Sequence, residues 1–189
     1  MEINLRALVT MIHGMLFGAF FLVATFGLVV EFCRSAFAEQ FLSLSPRGYR
    51  LERLYLFTIV SLGWAAVLTG TYIVYPWYRA VPPAGATDFS HFPKYLLMSE
   101  ATTAGWHSLG MEWKEHVAWI APIAMTMVAY VLTTYRRSMQ EHPQVCRAIL
   151  VFALGALGAA GVAGLFGAML NKYAPLNGVS VIHLVGKKQ

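Results

Sequence analysis

The stretch WHSLGMEWKEHVAW, Trp106 to Trp119, sets three tryptophans around His107, Glu112, Lys114, Glu115 and His116, and then runs into a segment with no charge from Val117 to Tyr135. Polar groups crowded beside such a segment make sense only where a chain passes from water into lipid. Indole rings favour the membrane–water interface, and an apolar run of about 20 residues is what a helix needs to cross the hydrocarbon core.

The rest of the chain agrees. Of 189 residues, 58% are hydrophobic and 12% charged, and the mean hydropathy is +0.57. Soluble domains carry about 25% charged residues, so this chain lacks the polar surface to face water on all sides. Four segments meet the length criterion, Leu8–Val30, Leu54–Trp77, Val117–Tyr135 and Ile149–Leu170, and none holds a Lys, Arg, Asp or Glu. In lipid each must be a helix, because only a helix satisfies all its backbone groups internally. The expected fold is therefore all-α: one membrane domain, residues 1–189, an integral four-helix bundle. Residues 79–115 form an extracytoplasmic loop between the second and third spans, with one or two short helices from Tyr95 to Met111 lying in the headgroup plane. Pro122 falls in the first turns of the third span, where a missing N–H costs little.

The net charge of +5 does not indicate a nucleic-acid partner, because the basic residues sit in short connections rather than on one face. They report topology instead. Arg34, Arg47, Arg50, Arg53, Arg136, Arg137 and Arg147 crowd two short connections, while Arg6, Arg79, Lys94, Lys114, Lys172, Lys187 and Lys188 are spread over a longer stretch on the other side. By density the first group is cytoplasmic. That gives a multi-pass protein of the bacterial inner membrane with both termini extracytoplasmic. Leu8–Val30 is too long for the apolar region of a signal peptide, although Ala36-Phe37-Ala38 resembles a cleavage site, and it reads as a retained span. Two cysteines, Cys33 and Cys146, and no CxxCH exclude a disulfide framework and covalently attached haem.

The histidines carry the chemistry. His13 lies inside the first span beside Gly14 and Gly18, and an ionisable group at membrane depth is a functional candidate by default. His116 opens the third span, which runs in the same direction, so the two imidazoles come at similar depth on helices that a bundle can set face to face. Such a pair grips a haem iron, the glycines making room for the ring. Hydrogen bonding to a neighbouring helix is the competing use of both. His107 is a rival ligand if Gly110 breaks the helix; otherwise it suits a quinone or partner site. Glu112 is placed to orient His116. In the fourth span Gly155, Ala159, Ala163 and Gly167, with Ala156, Ala160, Gly164 and Ala168 beside them, form two small-residue stripes suited to close helix packing, or to a flat porphyrin.

In architecture the chain resembles the four-helix membrane cytochromes b: four spans, helix-borne histidines and small residues beside them. It departs from them in having no histidine near the cytoplasmic ends, which leaves ligands for one haem. The resemblance implies one haem b, exchange with quinone, and other membrane and periplasmic subunits of a respiratory redox complex as partners. The expectation is an electron-transfer subunit relaying electrons between quinol and a periplasmic redox partner, with His13 and His116 as iron ligands. The alternative is a cofactor-free membrane anchor or scaffold.

Overall fold

The computed structural model describes residues 2–36, 46–136, 142–176 and 181–183. Within them are four helices long and apolar enough to cross a membrane: Leu5–Arg34, Arg47–Tyr78, Ala101–Tyr135 and Pro143–Tyr173. Phe37, Ala38, Arg137, Lys187 and Lys188, used above for topology and processing, lie outside the described residues. The first helix starts where the Asn4 side chain accepts a hydrogen bond from the Arg6 amide at 2.8 Å, satisfying one of the orphan donors of the first turn. Pro143 opens the fourth, its fixed φ suited to the first helical position. Residues 2–4 and 181–183 pair as a short antiparallel ladder, Glu2 opposite His183, bringing the two ends of the chain together.

Each helix packs against its neighbours in the order first, second, third, fourth and back to the first. The first and third are therefore diagonal across the bundle. Two apolar clusters fill it. The larger holds Phe21, Leu56, Ile59, Met125, Val128, Leu132 and Ala153. The smaller holds Tyr78, Leu97, Met111 and Leu170, near the end where residues 2–4 and 181–183 meet. Of the two small-residue stripes of the fourth helix, Ala156 and Ala159 are buried as packing surface, with Ala153 one turn before Ala156, whereas Gly155, Gly164 and Ala168 are exposed.

The third helix departs from expectation. It begins at Ala101 rather than Val117, so only Pro93–Met98 remains as a separate short helix in the loop between the second and third spans. Gly110 does not break it. The aromatic side chains explain why: Trp106 and Trp113 pack on Phe166 at 6.3 and 6.4 Å between centroids, Trp106 stacks on Tyr173, and the Trp113 indole N–H donates to the Ala159 carbonyl at 3.1 Å. Trp119 meets Trp64 edge-on at 6.2 Å. These rings, expected as interface anchors, fasten the third helix along its neighbours.

Pro122 consequently sits in mid-helix, not in a first turn. It has no N–H to offer the Ala118 carbonyl, and its ring crowds that group. The ladder accommodates by loosening upstream. The Ala118 amide reaches back five residues to Trp113, and the Ala118 carbonyl takes the Ala121 amide instead. The result is a π-helical segment, Trp113–Val117.

At the opposite end of the bundle, Arg136 and Glu52 form an ion pair linking the third helix to the second, with side chains 8% and 18% exposed. The Arg136 guanidinium also lies over the Tyr49 ring, 5.5 Å from its centroid.

Candidate functional site: a polar layer between two apolar cores

His13 is half-buried, and its ring turns toward the second helix. Its Nδ1 lies 3.1 Å from the Thr69 hydroxyl. That hydroxyl has one hydrogen, and it is committed to the Ala65 carbonyl at 2.6 Å. Thr69 must therefore accept, and Nδ1 must donate. The ring also hydrogen-bonds the Ala66 backbone, and in a neutral imidazole with its proton on Nδ1, Nε2 carries a lone pair. The approach is possible only because position 70 is glycine: a Cβ there would sit 2.8 Å from the His13 Cε1. Gly70→Ala is accordingly expected to push the ring off Thr69 and cost about 1–3 kcal/mol in stability, the usual range for overpacking. A thermal-unfolding series in detergent checks this, and no change would mean the ring moves aside freely.

Lys114 enters the same layer from the third helix. Its Nζ lies 3.0 Å from where a Cβ on Gly167 of the fourth helix would be, so this glycine too is a cradle. Its charge reaches the His13 ring. Among the described residues Lys114 forms no hydrogen bond and no ion pair. An amine held this way between helices is costly, because a polar group drawn from water is offset only by a partner. Thr69, Gly70, Lys114 and Gly167 were not singled out from the sequence as site residues. Lys114 read as a topology charge in a loop, and the two glycines acquire meaning only through what approaches them.

Three π-helical segments coincide with this layer: Ile12–Ala19 around His13, Gly70–Val74 beside it, and Trp113–Val117 around Lys114. Such segments are rare and frequently mark functional sites.

The other candidate residues are placed elsewhere. His116 points out of the bundle: its side chain is 70% exposed, with Nδ1 at 3.4 Å from Glu112 Oε2 and 3.1 Å from the Glu112 carbonyl. Glu112 does reach His116, as expected of an orienting carboxylate, but on the outer surface. Gly14 is exposed and a side chain there would meet nothing within 4 Å, while at Gly18 it would meet only the His13 carbonyl at 3.5 Å. Neither glycine makes room inside the bundle. His107 turns to the second helix, its Nδ1 2.8 Å from the buried Tyr78 hydroxyl. Nearby, Glu115 faces Arg79, 3.9 Å away, and Arg79 covers the Tyr75 ring at 5.1 Å. His91 and His142 are exposed.

A haem on two imidazoles needs both ring nitrogens aimed at one iron. Here one ring is bonded to Thr69 inside the bundle and the other faces outward, so the His13–His116 pair does not fit that group in this arrangement. Among the described residues no three of His, Cys, Asp and Glu come together in a way that could hold a metal ion. What the layer offers is a donor and an acceptor at one depth: the Lys114 amine and the His13 Nε2.

No family model, curated protein or solved structure matches the chain.

Proposed function

We propose that this protein is a small multi-pass subunit of a membrane redox complex, in which the polar layer receives the headgroup of a quinol and passes its electrons to a partner subunit. The observation that supports it is the Lys114 amine, whose charge reaches the His13 ring and which has no hydrogen-bond or ion-pair partner among the described residues. A quinol presents two oxygens on a flat ring. One hydroxyl gives its proton to His13 Nε2, held in the accepting form by the Nδ1–H bond to Thr69. The other oxygen receives a hydrogen bond from Lys114, which stabilises the semiquinone anion, whose charge is shared by both oxygens once the first electron has also left.

Oxidation of a quinol releases two protons, taken in turn by His13 Nε2 and passed to water at the nearer end of the bundle, and two electrons, and leaves the quinone. The electrons go to one-electron acceptors of a redox subunit docked on the end of the bundle that carries Trp106, His107 and Arg79. In the orientation favoured by the arginine density, that end is periplasmic and the membrane is the bacterial inner membrane. The layer lies closer to that end, so an acceptor outside the membrane is the nearer one.

The test is quinone binding to the protein in nanodiscs, followed through quenching of tryptophan fluorescence, since Trp113 flanks Lys114. Wild type is expected to bind a short-chain quinone saturably. His13→Ala is expected to weaken binding tenfold or more, while His116→Ala leaves both binding and the visible spectrum unchanged. A wild type that binds no quinone would leave a cofactor-free anchor as the better description. A reduced-minus-oxidised haem band lost in both histidine variants would restore the bis-imidazole reading.

A further inference from the structure

At the end of the bundle held by the Arg136–Glu52 pair, all seven basic residues of the two short connections are arginine, and all five lysines fall elsewhere in the chain. Either residue marks topology equally well. Only the guanidinium presents a planar fork of donors that matches a phosphate bidentately. Arg47, Arg50 and Arg53 stand three apart in the first turns of the second helix, and all three are exposed. Residues at that spacing are neighbours on a helix surface, where like charges repel. The described carboxylates of this end do not relieve the row: Glu52 is held by Arg136, and Glu31 lies 3.8 Å from Arg34. None of the three arginines makes a hydrogen bond or ion pair among the described residues.

We infer that the Arg47–Arg50–Arg53 row binds the phosphate of an anionic phospholipid in the leaflet at this end, whatever occupies the polar layer. Depth favours a lipid over other anions. Leu54 lies four residues past Arg50 and seven past Arg47, so it shares their face, about 6 and 10 Å further along the helix. Leu51, Leu54 and Phe57 are exposed, and no charge follows from Leu54 to Tyr78. Apolar side chains left open at this depth face lipid tails. The arginines, one and two turns nearer the end, then reach the level of the lipid phosphates, their stems lying along the tails and their heads in the polar zone. A phosphate shared between neighbouring guanidinium groups offsets their mutual repulsion. A zwitterionic headgroup offsets it less, because it brings a cation of its own to the row.

The test is native mass spectrometry of the delipidated full chain in detergent, titrated with phosphatidylglycerol and with phosphatidylcholine of the same acyl chains. Wild type is expected to hold phosphatidylglycerol at least tenfold more tightly. Arg47→Gln with Arg50→Gln is expected to remove that preference. Lys94→Gln with Lys172→Gln, the same loss of charge at the other end of the bundle, is expected to keep it. Arg47→Lys with Arg50→Lys keeps the charge without the fork and is expected to retain only part of the preference. An unchanged unfolding midpoint shows that each variant is folded. Equal binding of the two lipids by wild type overturns the inference, as does an unchanged preference in the glutamine pair. Full preference in the lysine pair overturns the part assigned to the fork. Displacement of phosphatidylglycerol by millimolar inorganic phosphate or by a polyglutamate peptide overturns the lipid, the row then being a site for a free anion or an acidic protein segment.

Discussion

Replacing Lys114 by methionine is expected to lower quinone affinity at least tenfold while leaving the protein as stable as wild type or slightly more so. The two effects have opposite signs for one reason. Methionine keeps most of the length and all of the apolar character of the stem, but it lacks the amine. A hydrogen bond to a charged group contributes about 1.5–3 kcal/mol, which corresponds to roughly 10–150-fold in affinity. The ligand loses that contribution. The unliganded protein loses nothing, since the amine has no partner among the described residues, and it is relieved of holding a polar group between helices. Stability purchased at the expense of a site is a recognisable signature of function. Chemical denaturation in detergent, run beside the binding titration, reads both quantities. A marked destabilisation by Lys114→Met would show the amine to be a structural bond, and unchanged affinity would remove it from the site.

Glu52→Ala is expected to be the most destabilising single change at the opposite end of the bundle, at about 3–5 kcal/mol. The partner, Arg136, has a side chain only 8% exposed. Removing the carboxylate takes one negative charge from beside a guanidinium drawn from water, while the contact with Tyr49 stays. The pair joins the second helix to the third, and its loss is expected to loosen that end while leaving the polar layer intact. Removing both partners at once, as Glu52→Met with Arg136→Met, is expected to restore much of the lost stability, since apolar side chains of similar size need no compensation. A double-mutant cycle on the unfolding midpoints measures the coupling, and additive losses would show that the two side chains act independently.

The four long apolar helices were legible because each contains a charge-free run long enough to cross lipid, and no local detail can disguise that. The start of the third helix was not. Glu112, Lys114 and Glu115 end the apolar run as any extramembrane loop would, and Gly110 reads as a breaking point. What carries the helix on to Ala101 is tertiary: Trp106 and Trp113 against Phe166, and the Trp113 indole on the Ala159 carbonyl. Once the helix continues upward, Lys114 belongs to the bundle and the meaning of its charge changes.

His13 was visible as an ionisable group within a span. Its partner was not, because Thr69 and Gly70 lie 56 and 57 positions away and look like ordinary span residues. The facing of His116 was out of reach for a further reason. Counting at 3.6 residues per turn fixes a face only on a regular helix, and Pro122 imposes a wider turn on the intervening segment. Sequence spacing could not set the azimuth of His116.

The widened turns have one more consequence. A π turn carries a residue more than a regular turn, and that surplus can migrate along the chain by exchanging one hydrogen bond at a time. Each such exchange rotates everything beyond it about the helix axis without severing the rod. Three such bulges flank His13, Gly70 and Lys114. In each, the surplus residue sets side chains at an angle about the rod that a regular 3.6-residue turn does not reach.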